Sequence, residues 1–154
     1  MIDDAYRALA VLLAGALVDS GLIESAAALQ VDPSSVFTPM GDEETLVVGV
    51  TLMKVQTVPV RTLLGGPAPR YVVDRQCRLE LAIAGPDRLR DPSLLAGALA
   101  SVAAVPKLHP NLDGAAERVW IGERSDEDLP PNGEAISITF TIRVRSGDQL
   151  GCTA

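Results

Sequence analysis

Side chains able to do covalent or metal chemistry are sparse in this chain. There is one histidine, His109, and there are two cysteines, Cys77 and Cys152. A Ser-His-Asp or Cys-His site would have to run through His109. That residue stands in Lys107-Leu108-His109-Pro110-Asn111, with Pro106 just before it, a context that reads as loop rather than catalytic centre. Cys77 falls on the apolar side of a predicted strand, where a thiol behaves as a small hydrophobe. On that side only Arg75 could lower its pKa. The cysteines are far apart and have no metal-type spacing, so they read as two reduced thiols of a cytosolic product rather than a zinc site or a disulfide scaffold.

Phosphate and cation motifs fail on their own terms. Leu64-Gly65-Gly66-Pro67 lacks the GxxxxGK[ST] pattern, and its proline deletes a donor that such a loop needs. No GxGxxG follows a strand. Asp126, Glu127 and Asp128 are consecutive acids, but an EF-hand loop alternates its oxygens around a central glycine and ends in glutamate. They read as a solvated acidic loop. Carboxylate pairs for glycoside hydrolysis cannot be assigned from spacing alone. The expectation is no catalytic residue, no metal and no cofactor.

The elements that position these residues follow from periodicity. Residues 2–19 place Ile2, Tyr6, Leu9, Leu13 and Leu17 on one helical face, with Asp3 and Asp4 in the first turn and Ser20-Gly21 as the stop. The apolar run 8–18 is preceded by MIDDAYR, which lacks the positive charge of a signal peptide, and it is too short to span a bilayer. A short helical piece over 22–30 is predicted to end at Asp32-Pro33. Residues 45–58 read as a strand closed by Pro59, apolar on both sides, so one side needs helices and the other a neighbouring subunit or domain. Residues 61–70 hold two glycines and two prolines and predict a projecting loop carrying Leu63 and Leu64.

Residues 71–84 alternate: Tyr71, Val73, Cys77, Leu79, Leu81 and Ile83 against Asp74, Gln76, Arg78 and Glu80. A helix over 92–105 follows, with Asp91 as N-cap, Pro92 in the first turn and Pro106 as the end. Residues 118–122 predict a short strand around Trp120, the only tryptophan. The segment 123–135 reads as an acidic, turn-rich loop. Residues 136–145 alternate again, with Ile136, Ile138, Phe140, Ile142 and Val144 inward. The predicted fold is α+β: a two-layer sandwich of a mostly antiparallel four-stranded sheet with helices on one face. It forms one domain over 1–154, with projecting loops near 59–70 and 123–135.

Composition bounds the function class. The chain has 154 residues, 47% of them hydrophobic but only 3% aromatic, so its core must be aliphatic. Net charge is -7, which lacks the cationic footprint of a nucleic-acid binder. Arg78, Arg143 and Arg145 share the polar side of two strands. Facing acidic loops, they suit subunit–subunit salt links better than a phosphate backbone.

Taken together, this layout resembles the tail terminator proteins of long-tailed bacteriophages. The resemblance rests on the helix 2–19, the strand 71–84, the helix 92–105, Val119-Trp120-Ile121-Gly122, the Asp128-Leu129-Pro130-Pro131-Asn132-Gly133 segment and the strand 136–145. It implies a structural subunit without enzymatic residues. Six copies would form a ring that caps the tail tube and joins it to the neck or stopper protein, within the virion. Candidate interface residues are Leu63, Leu64, Arg78, Glu123, Asp126, Glu127, Asp128, Arg143 and Arg145. The alternatives are another head-tail neck or adaptor subunit, or a small cytosolic ligand-binding domain or enzyme.

Overall fold

A computed structural model describes residues 2–33, 46–63, 70–86, 91–129 and 133–145. Helix α1 (Ile2–Ser20) leads through a 3-10 turn (Ala26–Ala28) to strand β1 (Leu29–Val31). Strands β2 (Val47–Leu63) and β3 (Arg70–Ala84) follow, then helix α2 (Pro92–Leu108). Strands β4 (Arg118–Leu129) and β5 (Gly133–Arg145) complete the fold. The five strands form one mixed sheet in the order β1-β2-β3-β5-β4. Only the β1–β2 pair is parallel. This is the expected α+β class, with both helices packed on one side of the sheet.

The alternation explains which side they cover. Cys77, Leu79 and Leu81 of β3 stand opposite Phe140, Ile138 and Ile136 of β5, and all six are buried. They meet Leu9, Leu13 and Leu17 of α1 and Leu95, Ala98 and Val102 of α2 in one aliphatic core. The intervening Arg78 is exposed and Glu80, Ser137 and Thr139 are partly exposed on the outer side. Each Leu or Ile so buried contributes about 1.5–3 kcal/mol by area, and a one-residue slip would turn the whole set outward. Gly21, at φ 86, lets the chain leave α1 in the left-handed region, its N–H bonding the Val18 carbonyl at 3.0 Å.

Several expectations are corrected. The piece at 22–30 is not a helix: it is a 3-10 turn and a parallel edge strand, since Leu29–Val31 finds a ladder on Val50–Leu52. Pro59 does not close β2. The strand continues to Leu63 because register shifts at Lys54/Gln56 and Pro59/Arg61 absorb the irregular residues at its edge.

Pro106 lies inside α2, whose ladder continues through His109 N–H to the Val105 carbonyl at 2.8 Å. A proline one turn from the end forfeits a single bond and is tolerated there. Tyr71 is exposed while Val72 is buried, the reverse of the alternation read from sequence, because Val72 is flanked by Arg61 and Arg145 on both neighbouring strands while Tyr71 lies one residue past the end of the β3–β5 ladder. The segment 123–129 is strand rather than loop. After a shift between Ile121 and Arg124, β4 pairs with β5 as far as Leu129↔Gly133. Edge strands tolerate such charge, which discourages pairing with other chains.

Candidate functional site

The outer side of the sheet holds the densest polar constellation. Successive outward residues of β5 and their partners on β3 and β4 bring Asp74, Arg143 and Arg118 into one cross-strand row. Arg143 donates from Nε to Asp74 Oδ1 at 2.9 Å and from a terminal nitrogen to Oδ2 at 3.0 Å. That bidentate carboxylate raises the Arg143 pKa further above its ordinary value. Beside it two guanidinium groups, those of Arg118 and Arg143, each lie 5.2 Å from the centroid of the Trp120 ring. Arg145 pairs with Glu117 at 3.0 Å.

Further along the same side, Arg78, Glu80, Glu123, Ser125, Ser137 and Thr139 line a shallow depression of about 400 Å³. A larger groove, about 740 Å³, opens between α2 and the far end of β4 and β5. Its wall is apolar, from Leu95, Leu99, Ala100, Ala103 and Ile136. Its rim carries Arg124, Asp126 and Glu134, with Arg124 and Asp126 paired at 3.5 Å.

The structure thus redistributes the residues singled out by sequence. Arg78 and Glu123 do meet around one depression. Arg143 and Arg145 are paired within their own chain, to Asp74 and Glu117, so their charge is not held free for an acidic neighbour. Asp126 lies on the helix side of the β4 edge, opposite Ile136, rather than with the arginines. Glu127 and Asp128 continue β4, Leu63 ends β2, and the side chains of all three lie outside the described residues. Leu64 also lies outside the described residues.

Two features were missed. The Arg118–Trp120 spacing of two puts both on one side of a strand, a signal present in the sequence. The partnership of Asp74 with Arg143 spans 69 residues and left no local signal.

The chemistry-bearing side chains are placed apart. Cys77 is buried in the core, and burial pushes its thiol up to about 12, against the pull of Arg75. His109 lies at the end of α2 and holds Asp113 through Nδ1 at 2.8 Å, closing a turn in which Leu112 and Asp113 both adopt positive φ. A separate polar knot ties α1 to the sheet. The Tyr6 hydroxyl donates to Asp32 Oδ1 at 3.1 Å and to the Leu52 carbonyl at 3.2 Å, and Asp32 Oδ1 also accepts from the Lys54 N–H at 3.1 Å. Burial, then the Asp32 carboxylate, hold Tyr6 far above the ordinary tyrosine range. Arg75 reaches Asp3 at 3.9 Å, yet its Nε is buried without a hydrogen-bond partner among the described residues.

Among the described residues no group of three or more His, Cys, Asp or Glu could hold a metal ion, and no helix is long and apolar enough to cross a membrane. No protein-family model matches the chain, and no curated protein matches its sequence.

Proposed function

We propose that this chain is a ring-forming structural subunit of the tail terminator kind, capping a tail tube and joining it to the neck of a tailed particle. The observation that carries the reading is the one-sided sheet. Among the described residues helices cover one side only, and the other presents Trp120 with Arg118 and Arg143 against it, beside a mixed-charge depression. Tryptophan and arginine clusters of this kind are characteristic of interface centres. The order helix, edge strand, antiparallel pair, helix, antiparallel pair also supports it.

On this reading the partners are further copies of the chain, six in a ring, together with the tail tube protein and the neck or stopper protein. The protein resides at the tail–neck junction of the virion after assembly in the host cytoplasm, and it catalyses no reaction. A different neck or adaptor subunit is the alternative within the same class. The groove of about 740 Å³ beside α2 favours a second reading, a small-ligand-binding domain. Electron cryo-microscopy of particles made with and without the chain separates these. A six-fold ring at the tail–neck junction is expected. Absence from that junction, or a single copy there, refutes the ring.

A further inference from the structure

Two opposite corners of the sheet are unlike in a way that suits them to each other. Among the described residues the β3–β5 ladder stops at Val72↔Arg145, so Thr62 and Leu63 of β2 pair with β3 alone. On its other side, among the described residues, β2 is flanked by β1 only over Val50–Leu52. Toward this outer end of the β2–β3 pair, hereafter the arm, Val55, Val58 and Val60 are 50%, 37% and 38% exposed, on a stretch of β2 still backed by β3 and β5 as far as Arg61. Between Val55 and Val73 the sequence has two arginines, Arg61 and Arg70, and no acid. Pro59 and the register shifts on either side of it interrupt this edge of β2. Strand addition along that edge is therefore blocked, and the valines are available through their side chains.

The groove against α2 lies at the diagonally opposite corner. It is built from the end of β4 and the start of β5, two strands across the sheet and at the other end of the strand direction. Its wall offers Leu99, Ala100 and Ile136 and its rim Asp126 and Glu134. Residues 123–134 hold five acids and one arginine. An apolar arm with two positive charges thus has an apolar, acid-rimmed groove as its complement. The other helix groove, between α1 and α2 at Val11 and Leu108, offers an arginine only Asp19 and a histidine.

We propose that the arm of one copy seats in the α2 groove of the next, with Val58 and Val60 against α2 and Arg61 toward Asp126 and Glu134. This deepens the ring reading and rests on it. The two patches differ and lie at opposite corners, so each contact leaves one arm and one groove free. Such head-to-tail contacts run on until the rotation closes them.

The test places cysteine pairs in a Cys152→Ser background, leaving the buried Cys77 in place. Val60→Cys with Ala100→Cys, and Val60→Cys with Val11→Cys as control, are treated with a short bismaleimide, both as purified protein and in assembled particles. The first pair is expected to give intermolecular ladders roughly tenfold faster than the control. Separately, Arg61→Glu and Glu134→Arg should each weaken self-association about tenfold, and the two together should restore it. Equal or faster crosslinking through Val11, or failure of the double charge reversal to restore association, overturns the arm–groove contact. So does the absence of crosslinks in both settings. If images of those uncrosslinked particles still show the ring, the ring reading stands without this contact; if they show none, both fall.

Discussion

Removing the Asp74–Arg143 pair should destabilise the monomer before it affects any assembly. The two side chains are 14% and 26% exposed, between a surface pair worth about 0–1 kcal/mol and a fully buried one whose disruption costs about 3–5 kcal/mol. Two charge-assisted bonds at 2.9 and 3.0 Å place their coupling at about 1–2 kcal/mol. Asp74→Ala leaves an arginine that can swing into solvent and should cost about that much. Arg143→Ala strands the more buried carboxylate and also removes one guanidinium from Trp120, worth about 0.5–1 kcal/mol more. Its expected cost is about 2–3 kcal/mol. The double variant should fall short of the sum by the coupling energy.

Urea titration followed by both circular dichroism and the fluorescence of Trp120 measures all three, because that tryptophan sits against the pair. The coupling should persist in about 1 M salt, where exposed pairs are screened within a few ångström. A coupling below about 0.3 kcal/mol, or one abolished by salt, would show that the pair is an ordinary surface contact. In that case the outer side of the sheet would not be held rigid in the way its use as an interface requires.

Three further outcomes follow from the core and the polar knot. Phe140→Ala, at a fully buried position, should cost about 3–5 kcal/mol in the same titration, and a cost under about 1 kcal/mol would contradict the packing of β5 against the helices. Tyr6→Phe should cost about 1 kcal/mol by removing the bonds to Asp32 and Leu52; an unchanged midpoint would mean those bonds contribute nothing. In a Cys152→Ser variant, Cys77 should resist thiol reagents until the chain unfolds, and reaction in the folded protein at a free-thiol rate would refute its burial. Its folded pKa, raised to about 12 from near 9, makes the folded state lose relative stability as pH rises above 9 and through 12, with the full contribution present below 9.

The sequence by itself determined the local half of this structure. Alternation in 71–84 and 136–145 identified β3, β5 and their helix-facing residues, because a two-residue period has only two sides to choose from. Asp91-Pro92 marked the start of α2, where Asp91 accepts from the Ser93 N–H at 2.9 Å, and Ser20-Gly21 marked the end of α1. These are signals written within a few residues of the feature they specify.

Only the tertiary structure decided what depends on a distant partner. Leu29–Val31 is a strand because Val50–Leu52 offers it a ladder, not because three residues favour one. The acidic stretch after Gly122 is strand because β5 runs beside it, against the propensity of its aspartates. Asp74 neutralises Arg143 across the sheet, so the arginine side read as free charge is already paired. The groove exists because α2 lies over the end of β4 and β5, which no spacing within either element encodes. Ladders, ion pairs and grooves are relations between segments, and a single chain read in order carries only one member of each at a time.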